Sequence, residues 1–267
     1  MALVGVLQLV LAGPVLAQSD ALVEARQLYN QGRYEEALAA AADIGHDSPD
    51  WHAALLLVGR AGLERYRQTA DANDLRNARE ALRAIDISRI DERDRVELIV
   101  GLGQSLYHGD AFRPAARLFE SAMAGSRVLG PAARDQLLDW WATSLDRFAQ
   151  TRPADERGEV YDLIVRRMDE ELLADPTTGA ASYWVAVAAR SKGDLDLALD
   201  LAKAGWVRAQ LTRDRGAWLR PDLDRLVLQG IIPERVKRLE ATAPDPEQAT
   251  TTMVAEWEAF KRRWTNR

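Results

Sequence analysis

Apolar residues recur along most of this chain at steps of three and four, the period of a helix that buries one face. The stretch SLYHGDAFRPAARLFESA, residues 105–122, shows it plainly. After a break at Gly109-Asp110 come Ala115, Phe119 and Ala122, small, large, small, four and three apart. Small residues at that spacing let a second helix come close, and the large one fills the adjoining groove. Two further segments share the signature. ALVEARQLYNQGRYEEALAAA has Gly32 followed five residues on by Ala37, and YWVAVAARSKGDLDLALDLAKAG has Gly193 followed by Ala198. Glycine permits the left-handed backbone that ends a first helix, and alanine opens the second to close packing. In 105–122 the step from Gly109 to Ala115 is six, and Pro114 lies within it. Proline is tolerated only in a first turn, so the second helix is expected to begin at Phe112 or Arg113.

Weaker copies fill the gaps. WHAALLLVGRAGLERY with NDLRNAREALRAID offers Gly59, then Ala78, Leu82 and Ile85; DQLLDWWATSLDRFAQ with ERGEVYDLIVRRMDEELL offers Ala142 and Leu145, then Gly158. The markers Ala37, Ala78, Ala115, Gly158 and Ala198 step by 41, 37, 43 and 40 residues, which predicts five helix–turn–helix units over 18–212. No alternating apolar run competes with this periodicity, so the expected class is all-α. Beyond Leu211, Trp218, Leu219, Leu223, Leu226 and Val227 keep helical spacing until Gly230 and Pro233, read as breaks in a pair of capping helices over 213–240. The stretch ATAPDPEQAT reads as a linker over 241–250. The closing 251–267 is expected to be an amphipathic helix whose stripe is Met253, Trp257, Phe260 and Trp264. That helix either packs back as a lid or docks in the groove of another protein or a second copy.

The three clear segments resemble the tetratricopeptide repeat. Leu102-Gly103, Leu106, Ala115, Phe119 and Ala122 match its pattern; so do Ala25, Leu28, Gly32, Tyr34 and Ala37, and Ala186, Gly193-Asp194, Leu195 and Ala198. Ala41 and Ala202 depart from it, standing where that family prefers a large aromatic. The resemblance implies a right-handed α-solenoid of stacked helix pairs with a C-terminal cap, acting as a protein-interaction scaffold. It also implies that first helices line a concave face, which here carries Arg26, Tyr29, Asn30, Gln104, Tyr107, His108, Tyr183 and Arg190. One branch of the family clamps a peptide carboxylate with a Lys and an Asn; Leu22 and Arg26 stand at the matching places, so that clamp is absent. The expected partner is another protein or peptide, with an accessory role in solute uptake, through a Trp- and Tyr-lined cavity, as the alternative.

Composition narrows the setting. The 267 residues carry a net charge of −6, which disfavours nucleic acid and anionic membrane as partners. Arg213, Arg215, Arg220 and Arg225 read as a solvated face. Residues 2–12 are largely apolar and uncharged, and Val15 and Ala17 suit a signal peptidase, so a signal peptide over 1–17 and a periplasmic location are expected. The absence of cysteine excludes disulfides and thiolate chemistry.

No motif argues for an enzyme or a cofactor. Asp43, His46, Asp47, Asp50 and His52 gather locally without a recognised metal spacing, and Ser48 or Asp50 reads as a helix cap. Glu170-Glu171 and Asp155-Glu156 are neighbours that point to different faces. Of eight tryptophans, Trp140 and Trp141 are adjacent, so one of them is expected near the surface.

Overall fold

The computed structural model describes residues 19–239 and 245–265. Among them are thirteen α-helices and no strand, as the periodicity predicts. The signal-peptide expectation falls on residues outside the described ones. The chain divides into two compact units, the first ending at Ile90 and the second beginning at Asp91. This boundary falls within the stretch that the repeat spacing treats as continuous.

In the first unit α1 (Asp20–Asn30) packs on α2 (Tyr34–Ala42), α2 on α3 (Trp51–Thr69), and α3 on α4 (Ala72–Arg83); α1 also touches α3. Ala25, Ala41 and Leu57 form one buried cluster, and Leu22, Ile44 and Ala54 another. Ser19 caps α1 through its hydroxyl, while its own N–H donates to Asp50 at 2.7 Å. Asp50 therefore stands at the start of α3 without capping it, and Ser48 instead accepts the Asp50 N–H.

The second unit follows the same rule of neighbours. Its helices are α5 (Glu92–Tyr107), α6 (Phe112–Gly125), α7 (Pro131–Gln150), α8 (Arg157–Ala174), α9 (Gly179–Ser191) and α10 (Leu195–Arg208), each packed on the next. α7 also touches α9, and α9 touches α11 (Leu219–Leu226). One apolar core runs through this unit, from Val96 to Trp257. Its centre is α9, buried on nearly every side from Gly179 to Ala189 because its small residues admit helices on both flanks.

The three clear turns are the same turn. Arg33, Ala111 and Asp194 each donate a backbone N–H five residues back, to Leu28, Leu106 and Ala189. Gly32, Asp110 and Gly193 donate three back, which completes a Schellman motif. The left-handed residues are Gly32 (φ 74°), Asp110 (φ 59°) and Gly193 (φ 85°), so the turn after α5 does not use Gly109 as expected. Counted from Asp110, the step to Ala115 is five, as in the other two turns. The expected start of α6 at Phe112 holds, and the apparent extra residue is Gly109, which remains inside the turn.

A close contact at a separation of sixteen positions recurs in the first three helix pairs. A Cβ on Gly62 would stand 3.1 Å from that of Ala78, and one on Gly103 would stand 2.8 Å from the Phe119 ring. Ala25 and Ala41 meet in one cluster, and Ala186 and Ala202, both fully buried, stand at the same separation. The fourth marker fails this test: nothing lies near a Cβ built on Gly158, and α8 is seated by Tyr161, Ile164 and Met168 instead. Its turn contains Pro153 in place of a left-handed residue.

The C-terminal region differs from expectation in two places. Gly230 and Pro233 do not break the chain into a helix pair. α11 continues through a π turn, Val227–Ile231, into α12 (Ile232–Leu239). Pro233 has no N–H for Gln229 and its ring crowds that carbonyl, and the wider π turn accommodates both. The supposed linker is helical from Pro246: α13 spans Pro246–Thr265, with Asp245 accepting the N–H groups of Glu247 and Gln248 and Pro246 in the first turn. α13 packs on α10 and α12.

Candidate functional site

Residues of α7 and α9 and the turn before α11 build the most distinctive surface. α7 carries Asp135, Asp139 and Asp146, four and seven apart and therefore on one face. Asp135 receives the backbone N–H of Ala180 at 3.2 Å, at the start of α9. Asp139 receives the indole N–H of Trp184 at 2.9 Å, and Asp146 the Tyr161 hydroxyl at 2.9 Å. Burial raises all three carboxyls above the usual aspartate range, against the pull of these donors. Neighbouring Asp222 adds to the rise at Asp139.

Tyr183 lies among them. Its ring packs edge-on against Trp184 at 5.6 Å and against Trp218 at 6.3 Å between centroids. Burial, followed by the charges of Asp222 and Asp139, pushes its phenol up to about 12. Trp218 is anchored by its backbone N–H, which donates to Asp214 at 2.8 Å. Gly179 separates the Trp218 ring from Asp135: a Cβ there would lie 3.4 Å from the indole and 3.3 Å from the carboxylate. A methyl there would touch the indole and press on the carboxylate. Asp222, one turn beyond Trp218, is ion-paired with Arg225 at 2.8 Å.

The expected concave-face residues fall into separate groups. Arg26, Tyr29 and Asn30 belong to the first unit, where the Arg60 guanidinium sits 4.6 Å from the Tyr29 ring centroid. Tyr29, Tyr107 and Arg190 hold the same place in the three Schellman turns, and each is engaged within the protein. Tyr107 packs on Phe112 and Trp140, at 5.4 and 5.2 Å, with His108 beside them. Gln104 is half-buried one turn before. Arg190 is paired with Glu234 of α12 at 2.6 Å, so it is a strut and not a free recognition group. Of the eight, Tyr183 is the one beside an exposed aromatic. Asp135, Asp139 and Trp218 were missed because only the packing of α7 on α9 brings them together.

The C-terminal stripe faces inward. Trp257 is 1% exposed, rests edge-on against Trp206 at 5.4 Å and donates its indole N–H to Asp224 at 2.8 Å. Met253, Phe260 and Trp264 pack partly buried on the same core. Arg220 is not solvated as expected: its guanidinium lies 5.4 Å from the Trp206 ring centroid. Of the tryptophan pair, Trp141 is buried and Trp140 half-buried against Phe119, as the adjacency required.

The local histidines disperse. His52 accepts the Asp86 N–H at 3.2 Å, and His46 lies exposed beside Trp51. Among the described residues no group of three acidic or histidine side chains could hold a metal. A cavity of about 360 Å³ opens between α12 and α13, lined by Arg235, Asp245, Gln248, Thr252, Met253 and Glu256. It contains none of the Trp and Tyr residues expected of a carrier cavity.

The class is thus an all-α protein of about twelve helices, packed in sequence as adjacent pairs within each unit, with α11 and α12 counted as one continuous helix. No family model and no curated protein matches the chain. No helix among the described residues is long and apolar enough to cross a membrane.

Proposed function

We propose that the chain is a protein-interaction scaffold of tetratricopeptide type, in which each unit is a right-handed stack of helix pairs. The observation that carries this reading is the recurrence of one turn and one contact. Three Schellman turns of equal register join the pairs, and helix–helix contacts recur sixteen residues apart. First helices also touch first helices, α1 with α3 and α7 with α9, which leaves their remaining faces on a common side within each unit. Such a side offers aromatic area and directed polar groups to a peptide or a partner helix. The apolar start of the chain and its lack of cysteine support a periplasmic setting.

Photo-cross-linking tests the assignment of faces. A photoreactive residue placed at Arg147, exposed on α7, is expected to capture one protein from a periplasmic extract. The same residue at Leu173, 88% exposed on α8, is expected to capture none. Equal capture at both positions, or none at either, would count against the reading.

A further inference from the structure

The apolar feature of the second unit that calls for an occupant is the pair Tyr183 and Trp218. Trp218 is 41% exposed although its backbone is pinned to Asp214 and its ring rests over Gly179. A fixed, exposed indole loses little conformational entropy on binding, and such residues dominate the energetics of recognition surfaces. The charges around this pair have one dominant sign. Asp135 lies across Gly179 from the indole, Asp222 stands one turn beyond it, and Asp139 is held beside Tyr183 through Trp184. Arg225 already answers Asp222. Asp135 and Asp139 have only backbone and indole donors, so among the described residues no cation neutralises them.

We propose that this aromatic face docks a cationic peptide segment, laying an arginine or lysine side chain on the Trp218 indole with its charge toward Asp135 and Asp139. The proposal rests on the interaction-scaffold reading and names the chemistry of its partner. An indole face attracts a cation through its quadrupole, and arginine adds planar stacking. Half-buried carboxylates act through a lower effective dielectric than solvated ones, so their attraction reaches a docked charge with less screening. An anionic segment would meet the same carboxylates as repulsion. The overall charge of −6 steers in the same direction.

The test uses the full chain and two fluorescein-labelled peptides, one alternating leucine with arginine and the other alternating leucine with glutamate. Fluorescence anisotropy is expected to show saturable binding of the arginine peptide alone. Trp218→Ala, and separately Asp135→Asn with Asp139→Asn, should each weaken it about tenfold. Asparagine keeps the acceptor oxygens for Ala180 and Trp184, and far-UV circular dichroism verifies that each variant stays folded. The exposed pair Glu120→Gln and Asp169→Asn should leave affinity unchanged. Absence of arginine-peptide binding overturns the proposal, as does equal weakening by that distant pair, which would mean diffuse attraction. If the glutamate peptide binds and Trp218→Ala abolishes it, the chemistry proposed here fails while the scaffold reading survives. If sedimentation shows a dimer that Trp218→Ala dissolves, the occupant is a second copy and the proposal fails.

Discussion

Gly103 and Phe119 meet face to face: a Cβ on Gly103 would stand 2.8 Å from the nearest atom of the Phe119 ring and 3.1 Å from the next. The ring is fully buried, so it has nowhere to retreat. The glycine of α5 thus makes room for the large residue of the small–large–small set in α6.

Gly103→Ala is therefore expected to destabilise the protein by about 1–3 kcal/mol, the usual cost of overpacking. Gly158→Ala is the control, because nothing lies near its added methyl and α8 gains helix propensity. That variant should be neutral or more stable by up to about 1 kcal/mol. Chemical denaturation followed by circular dichroism compares them, and equal effects would mean that α5 and α6 do not pack this closely.

The Schellman turns predict an asymmetry between two similar-looking changes. Gly193→Ala places a side chain in a left-handed conformation and should cost about 1 kcal/mol. Asp110→Gly relieves one, so it should cost little or stabilise. If Gly109→Ala costs as much as Gly193→Ala, the left-handed residue has been placed one position too late.

Trp257 seats α13, and Trp257→Ala should cost about 3–5 kcal/mol of stability. Trp264→Ala should cost less, since that ring is only half-buried. Thermal melts of the two variants and of a chain ending at residue 244 check this. Equal and small effects would mean that α13 is not an integral part of the second unit.

Burial raises the Asp139 carboxyl, opposed by the Trp184 indole and helped by Asp222. The folded state therefore holds this proton more tightly than the unfolded chain. The resulting penalty is absent below roughly pH 4, the ordinary aspartate range, and grows as pH rises through the raised folded value. Asp139→Asn should be more stable than the parent at pH 7, with the advantage fading toward pH 4. Asp175 behaves oppositely: the Thr177 hydroxyl and N–H lower it, so its contribution is lost as pH falls through its depressed value. Urea titrations from pH 7 down to about pH 2 separate the two signs, Asp139 acting above roughly pH 4 and Asp175 below it.

The candidate surface was legible only in part. Tyr183 stood out as a first-helix aromatic, and the stripe of Met253, Trp257, Phe260 and Trp264 announced its own helix. Arg190 looked equally free, yet Glu234, forty-four residues later, claims it. Nothing in the sequence set Asp135 and Asp139 apart from other helix charges. Their partners come from α9, and no local pattern within α7 distinguishes an aspartate that will meet an indole N–H from one that will meet water.

Local chemistry determined much of the rest from sequence alone. Apolar spacing of three and four set the all-α class, and Pro114 placed the start of α6, because helix period and proline geometry are properties of short segments. Tertiary structure decided which residue in the 105–122 turn takes the left-handed conformation, and that a π turn carries the helix past Gly230 and Pro233 without ending it. It also decided that Asp135, Tyr183 and Trp218 share one face. These outcomes depend on what stands opposite each residue once the helices pack, and that information is spread over elements far apart in the chain.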